Sequence, residues 1–124
     1  MHRTTKQKEA ILDAFHSMHR PLSIEELFHY AAGKVESINI STIYRTLKVL
    51  IGKRVIHKVD IPGEHIRYEL VVSSHRHYFI CQVCDKVYPL ESCPHGLLDM
   101  VPPGFLLKGH SVTLSGSCMA CISL

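Results

Sequence analysis

The sequence predicts an α+β protein made of two small domains, and three observations support that prediction. A length of 124 residues fits one compact domain or two very small ones. The excess of positive charge is confined to residues 1–70, where 11 Lys and Arg face 8 Asp and Glu, whereas all five cysteines lie in residues 71–124. Helical periodicity dominates the first part, and short strand-like runs dominate the second.

Composition narrows the classes of protein that fit. Hydrophobic residues make up 46% and charged residues 20%, which is a globular balance rather than a disordered one. No apolar run is long enough to cross a membrane, and the first residues lack the apolar stretch of a signal peptide. The odd number of cysteines argues against a disulfide scaffold, and we expect a cytoplasmic protein. Ten histidines are an excess that needs an explanation.

The first two predicted helices begin at hydroxyl residues. Thr4 or Thr5 is expected to cap the first, whose buried positions recur at helical spacing: Ile11, Leu12, Phe15 and Met18. Residues 19–22 interrupt the pattern. Ser23 and Glu26 then form a predicted capping box, and Gly33 ends the second helix. Its predicted buried side consists of Ile24, Leu27, Phe28 and Ala31.

A third helix is predicted from Ser41 through Leu50, with Gly52 as its stop. Its apolar side chains cluster on one face, at Ile43, Leu47 and Leu50. The opposite face carries a hydroxyl, a phenol and two cations, from Ser41, Tyr44, Arg45 and Lys48. This set suits phosphates and base edges, although such a face is also found on helices that merely meet solvent.

Two strands follow, at 55–59 and 66–70, and they form a predicted hairpin around Pro62-Gly63. Three helices followed by a hairpin is the order of a winged helix-turn-helix, in which the third helix enters the major groove of DNA. Together with the local positive charge, this order predicts a DNA-binding domain over residues 1–72. The polar Ser73-Ser74 break predicts a hinge near residues 71–76.

The second predicted domain, residues 75–124, carries two C-x-x-C pairs: Cys81 with Cys84, and Cys118 with Cys121. Four thiolates suit a tetrahedral zinc ion, and such a site is closed to water. A redox role for one C-x-x-C pair is the weaker interpretation, because no βαβ pattern precedes it. In a domain of this size, the metal is expected to supply much of the folding free energy.

Strand-like runs in this domain lie at 78–80, 87–90 and 111–114, with a short helix predicted over residues 94–101. We expect antiparallel strands. A small sheet with one helix needs another surface packed against it, and an identical subunit is the simplest candidate. The sequence therefore predicts an α/β dimerisation domain and a homodimer.

Histidines near the two C-x-x-C pairs predict a second metal site. His75 and His77 alternate in an extended segment, so both side chains point the same way. His110 precedes the second pair by eight residues. Imidazoles suit zinc, nickel, copper or iron. The alternative interpretation is that these histidines are ordinary surface residues.

These residues resemble the ferric uptake regulator (Fur) family of bacterial metal-responsive repressors over essentially the whole chain. The resemblance is carried by the segments 5–12, 23–27, 41–47 (Ser-Thr-Ile-Tyr-Arg-Thr-Leu) and 67–70, the histidines before Cys81, and both C-x-x-C pairs. It implies a homodimer on an A·T-rich palindromic operator, with Tyr44 and Arg45 touching DNA and the four paired cysteines holding structural zinc. The candidate DNA-contacting set is Ser41, Thr42, Tyr44, Arg45, Lys48, Arg3 and Lys6.

The resemblance leaves the regulatory site open. Of the positions that match the family's inter-domain metal site, only Glu69 retains a ligand. A second family site matches His75, His77 and His110, and Cys93 or His95 is a candidate for its fourth ligand. A histidine-rich set favours zinc, with Fe²⁺ or Mn²⁺ as alternatives.

The predicted function is a zinc-responsive repressor of metal-uptake genes with no small-molecule substrate. An iron- or peroxide-responsive regulator of the same family and a DNA-binding protein with structural zinc but no sensing are the alternatives. An enzyme is not predicted, because neither H-E-x-x-H nor the deaminase pattern H-x-E with P-C-x-x-C occurs.

Overall fold

The computed structural model describes residues 3–73 and 75–123, with side chains from Thr5 onward. Its contacts divide the chain into two compact units, Met1–Ser73 and Ser74–Leu124. The first contains three helices and a two-stranded sheet, and the second contains a three-stranded sheet. No helix within the described ranges is both long and apolar enough to span a bilayer.

Helix α1 spans Arg3–Met18 and helix α2 spans Ile24–Ala32. The predicted cap at Thr4 or Thr5 is wrong, because α1 has already begun at Arg3 and its first N–H groups need no side-chain cap where water can reach them. The capping box of α2 is confirmed. Ser23 Oγ accepts a hydrogen bond from the Glu26 N–H, and the Glu26 carboxylate accepts one from the Ser23 N–H, each at 3.2 Å.

Helix α3 spans Ile40–Gly52. It begins one residue before the predicted Ser41, and its N-cap is Asn39, because Asn39 Oδ1 accepts the Thr42 N–H at 2.9 Å. The predicted end of the helix at Leu50, with Gly52 as its stop, is also wrong. Gly52 is still helical, and the chain turns at Arg54, which adopts a left-handed φ of 60°. The predicted buried face is confirmed at Ile43, Leu47 and Leu50.

Strands β1 (Ile56–Val59) and β2 (Arg67–Leu70) form the predicted antiparallel hairpin, in the register Ile56 to Leu70. Gly63 in the connecting loop has φ 83°, a conformation that side-chain-bearing residues rarely adopt. The hairpin also binds the turn between α1 and α2, because Leu22 and Tyr68 exchange backbone hydrogen bonds of 2.7 and 2.9 Å.

One hydrophobic core joins the three helices to the hairpin. Its fully buried members come from every element of the first unit, and include Ile11, Phe15, Leu22, Leu27, Ile43, Leu47 and Ile56. Because α3 rests its apolar face on this core, the polar face of α3 has to point to solvent.

The second unit is built on strands β3 (His77–Cys81), β4 (Val87–Leu90) and β5 (Thr113–Gly116), in the order β4-β3-β5. The expectation of an all-antiparallel sheet is wrong. β3 is antiparallel to β4 but parallel to β5, with Tyr78 opposite Thr113 and Cys81 opposite Gly116. Because β4 runs back along β3, it ends at the end of the sheet where β5 begins, and residues 91–112 form the crossover that joins the two strands past β3.

The crossover contains less helix than predicted. Only Leu97–Met100 form a 3-10 helix, where the sequence predicts a helix over residues 94–101. The cause is Gly96, whose φ of 79° is incompatible with a right-handed helix running through it. Strand β5 also begins two residues later than predicted, at Thr113.

The core predicts a contrast between two neighbouring positions of α3. Leu47 is buried, so Leu47→Ala should lower the free energy of unfolding of the first unit by about 2–5 kcal/mol. Val49 is half-exposed, so Val49→Ala should change it by less than about 0.5 kcal/mol. Urea denaturation followed by the circular dichroism of the helices measures both. Equal effects for the two variants would contradict the assignment of the buried face.

Candidate metal centres and nucleic-acid surface

The four paired cysteines converge in the second unit. The Sγ atoms of Cys81, Cys84, Cys118 and Cys121 all lie within 4.8 Å of one another. Parallel pairing brings them together, because β3 ends at Cys81 and its neighbour β5 ends just before Cys118. The Cys84 and Cys118 Sγ atoms are 3.8 Å apart. Four thiolates at about 2.3 Å from a tetrahedral ion have the same separation, about 3.8 Å, so the group fits such an ion.

The electrostatics of this group of four thiols also favour a bound cation. Backbone N–H groups of Cys84 and Cys118 point at Cys81 Sγ, at 3.5 and 3.3 Å, and lower the pKa of its thiol to about 6. At Cys121, the neighbouring Cys118 sulfur raises the pKa to about 12. Four adjacent thiolates repel one another, so all four can ionise together only around a positive ion.

A second group forms at the other ends of the same two strands. The ligand atoms of His75, His77, Cys93 and His110 lie within 4.8 Å of one another. His77 Nε2 is 3.2 Å from His75 Nε2 and 3.1 Å from His110 Nε2, and Cys93 Sγ is 3.2 Å from His75 Nε2. Nitrogen ligands of a tetrahedral ion lie about 3.3–3.4 Å apart, so this group also fits a single metal ion.

His77 is the buried member of the second group. The Val112 N–H donates to His77 Nδ1 at 3.1 Å and thereby turns Nε2 toward the other members. Binding of a metal ion through Nε2 requires that this atom carry no proton. Burial lowers the pKa of His77, with further contributions from His110 and His75, which favours the uncharged ring that metals require.

The two remaining regulatory candidates lie elsewhere. Among the described residues, His95 belongs to neither group and its side chain is exposed. Glu69 lies on β2 of the first unit, where its buried carboxylate contacts His57, with 3.0 Å between Oε1 and Nε2. The sequence predicts neither this pair nor the Val112 bond, because a partner across a hairpin and a backbone N–H leave no signal in composition or spacing.

The polar face of α3 is exposed in the first unit. Ser41, Tyr44, Arg45 and Lys48 all reach solvent there, as does Lys6 on α1. Thr42 is instead buried, and its Oγ1 accepts a hydrogen bond from Arg45 Nη2 at 3.2 Å. Thr42 is therefore positioned to orient Arg45 rather than to contact a ligand itself. The side chain of Arg3 lies outside the described residues.

A family model described as the ferric uptake regulator family matches residues 1–112. The chain belongs to this family. Members of the ferric uptake regulator family are metal-responsive transcription regulators and not enzymes.

Individual relatives agree with the family assignment. The ferric uptake regulation protein of Synechococcus elongatus is 31% identical over an alignment of 125 positions that covers 96% of this chain and 85% of the relative. A zinc-bound manganese uptake regulator shares the fold with a TM-score of 0.79 and 27% identity, over 95% of this chain and 92% of the other. The Helicobacter pylori ferric uptake regulator, described with three functional metal-binding sites, has a TM-score of 0.66 at 24% identity, over 94% and 79% of the two chains.

The two groups at opposite ends of β3 predict two metal ions that can be removed separately. His110→Ala should abolish uptake at the histidine group and leave the second unit folded. Cys118→Ser should remove the ion that resists chelators and unfold that unit, because the metal is expected to supply much of its folding free energy. Metal analysis after mild and strong chelation, combined with circular dichroism, distinguishes these outcomes. His95→Ala is the matched control and should retain both ions; a single shared ion would contradict the prediction.

Proposed function

We propose that this chain is a metal-dependent transcriptional repressor that binds a palindromic DNA operator as a homodimer and responds to zinc. The observation that carries the proposal is the convergence of His75, His77, Cys93 and His110 at a site distinct from the four-thiol group. Sensing needs a metal ion that exchanges, and a structural role needs one that stays bound. The chain offers a group for each role.

The chemistry of the two groups supports this division. Cys81 and Cys121 are buried, so an ion held by the four thiols is shielded from water and from competing ligands. In the histidine group only His77 is buried, and the other three ligands are exposed. When bound, a metal ion supplies cross-links between segments that are otherwise separate. Exposed ligands let that ion enter and leave as its concentration changes.

Ligand type supports zinc as the sensed ion. Three imidazoles and a thiolate suit zinc in a tetrahedral site, whereas manganese prefers oxygen ligands. No carboxylate belongs to the histidine group within the part of the chain that the structure describes. Glu69, the one acidic candidate, contacts His57 within the first unit. Iron and manganese remain the alternatives that a titration has to test.

The first unit supports the DNA-binding part of the proposal. Three helices and a hairpin in this order are typical of a winged helix-turn-helix, with α3 as the recognition helix. Arg45 and Lys48 offer cations for phosphates and base edges, and Tyr44 adds a phenol beside them. Thr42 limits the freedom of Arg45 through its hydrogen bond, which reduces the entropy lost on binding.

Features of the second unit support a homodimer. Strand β5 lies at the edge of the sheet, and its side chains are largely exposed. An exposed strand edge is usually paired or covered in a stable protein. Large apolar side chains are exposed in the same unit, at Leu98, Met100, Phe105, Leu106, Leu114, Met119 and Ile122. A second copy of the chain would cover apolar side chains of this kind and offer a second recognition helix for the other half of a palindrome.

Metal dependence of operator binding tests the proposal. We expect the zinc-loaded chain to select an A·T-rich palindromic duplex from a randomised library, and mild chelation to weaken binding to that duplex. The double variant His75→Ala with His110→Ala should remain folded and lose the dependence on zinc. His95→Ala should behave like the unmodified protein. If neither chelation nor the double variant changes duplex binding, the chain is a DNA-binding protein that does not sense metal. If the chain selects no duplex, the proposal is overturned.

The α3 surface generates a second expectation. Arg45→Ala or Lys48→Ala should weaken binding to the selected duplex and reduce the slope of log affinity against log salt by about one for each phosphate contact removed. Lys86→Ala removes the same charge from an exposed site in the second unit and is the matched control. Fluorescence anisotropy at several salt concentrations measures the slopes. If Lys86→Ala weakened duplex binding as much as the α3 variants do, net charge alone would account for binding.

A further inference from the structure

Cys93 differs from the other four cysteines in its surroundings. It lies in the exposed stretch 91–96 between β4 and the 3-10 helix, with its Sγ 3.2 Å from His75 Nε2. Cys81 and Cys121 are buried and Cys84 and Cys118 are partly buried, all within the four-thiol group. Cys93 is therefore the cysteine sulfur that a dissolved reagent reaches first, and it belongs to the group proposed to sense metal.

We propose that Cys93 is an oxidation site at which a hydroperoxide releases the sensed metal ion. The inference rests on the proposed function, since it concerns the regulation of the same centre. It differs from metal sensing in the signal that the protein detects. At a constant zinc concentration, the protein would dissociate from DNA when an oxidant is present.

The reaction requires only the sulfur and the hydroperoxide. A metal ion holds Cys93 as the thiolate, which is the nucleophilic form of cysteine. The thiolate sulfur attacks one oxygen of hydrogen peroxide, so an S–O bond forms as the O–O bond breaks. Sulfur gives up two electrons, and the departing hydroxide takes a proton from solvent and becomes water. The oxygen that bonds to sulfur keeps its own hydrogen, so the product is a sulfenic acid, and zinc does not change its oxidation state.

Oxidation weakens the site because a sulfenic acid lacks the charge of the thiolate that it replaces. Three imidazoles then remain, and two of them, His75 and His110, are exposed. Loss of an outer-shell partner alone costs about 10- to 100-fold in metal affinity, so loss of a ligand should cost at least as much. The four-thiol group keeps its sulfurs in a closed site, with backbone N–H groups directed at Cys81 Sγ.

The sequence also indicates that the modification is reversible. Of five cysteines in the chain, four belong to the thiol group, so Cys93 has no spare cysteine in its own chain with which to form a disulfide. Its sulfenic acid is left exposed to small thiols, which return such acids to thiols through a mixed disulfide.

The test uses the full chain loaded with zinc and the duplex selected above. Hydrogen peroxide should release one of two bound zinc ions per chain, leave a sulfenic acid at Cys93 detectable by trapping and mass spectrometry, and raise the zinc concentration needed for half-maximal duplex binding at least about tenfold. A thiol reductant with added zinc should restore binding. Cys93→Asp keeps a ligating atom but no oxidisable sulfur, and at saturating zinc its duplex binding should resist peroxide. Ser92→Ala is the neighbouring control and should respond as the unmodified protein does.

Each outcome separates this inference from the proposed function. If zinc controls duplex binding but peroxide leaves binding unchanged, or first oxidises the four-thiol group, the role of Cys93 is overturned and the repressor proposal stands. The role of Cys93 also falls if Cys93→Asp loses duplex binding to peroxide as the unmodified chain does. If zinc does not control duplex binding in any variant, both proposals fail together.

Discussion

The parallel pairing of β3 with β5 is the constraint on which both metal groups depend. β3 carries His77 at its start and Cys81 at its end, and β5 is preceded by His110 and followed by Cys118. Running the strands in the same direction places histidine beside histidine and cysteine beside cysteine. An antiparallel pair would put each histidine beside a C-x-x-C pair and divide both groups. At about 3.3 Å per residue, the four steps from His77 to Cys81 separate the two groups by roughly 13 Å.

The long crossover before β5 connects β4 to this pair and also supplies two ligands. Residues 91–112 have to travel from the far edge of β4 to the opposite side of β3. Cys93 lies at the start of that path and His110 near its end, so one connection delivers two of the four ligands of the histidine group. In the first unit, the buried face of α3 has the comparable role, because it leaves Tyr44, Arg45 and Lys48 exposed together.

Sequence reasoning predicted the features that depend on local spacing. The helical faces, the capping box at Ser23 and the hairpin follow from periodicity and from pairs of residues close in the chain. The direction of β5 was predicted wrongly, because alternation of side chains is the same in parallel and antiparallel strands. The choice between Cys93 and His95 was open for a similar reason. They are two residues apart in an irregular segment, and only the path of the backbone decides which one meets His75.

The shared strand also explains why the two groups should differ in affinity. An ion held by the four thiols fixes the end of β3 against the segment after β5, so His77 and His110 already lie side by side when the second ion arrives. His77 is buried and fixed by the Val112 N–H, whereas Cys93 and His75 must be held in place by the ion itself. Ordering exposed side chains costs conformational entropy. This cost weakens binding at the histidine group more than at the thiol group, whose members are buried or partly buried, and such a difference would let one ion exchange while the other maintains the fold.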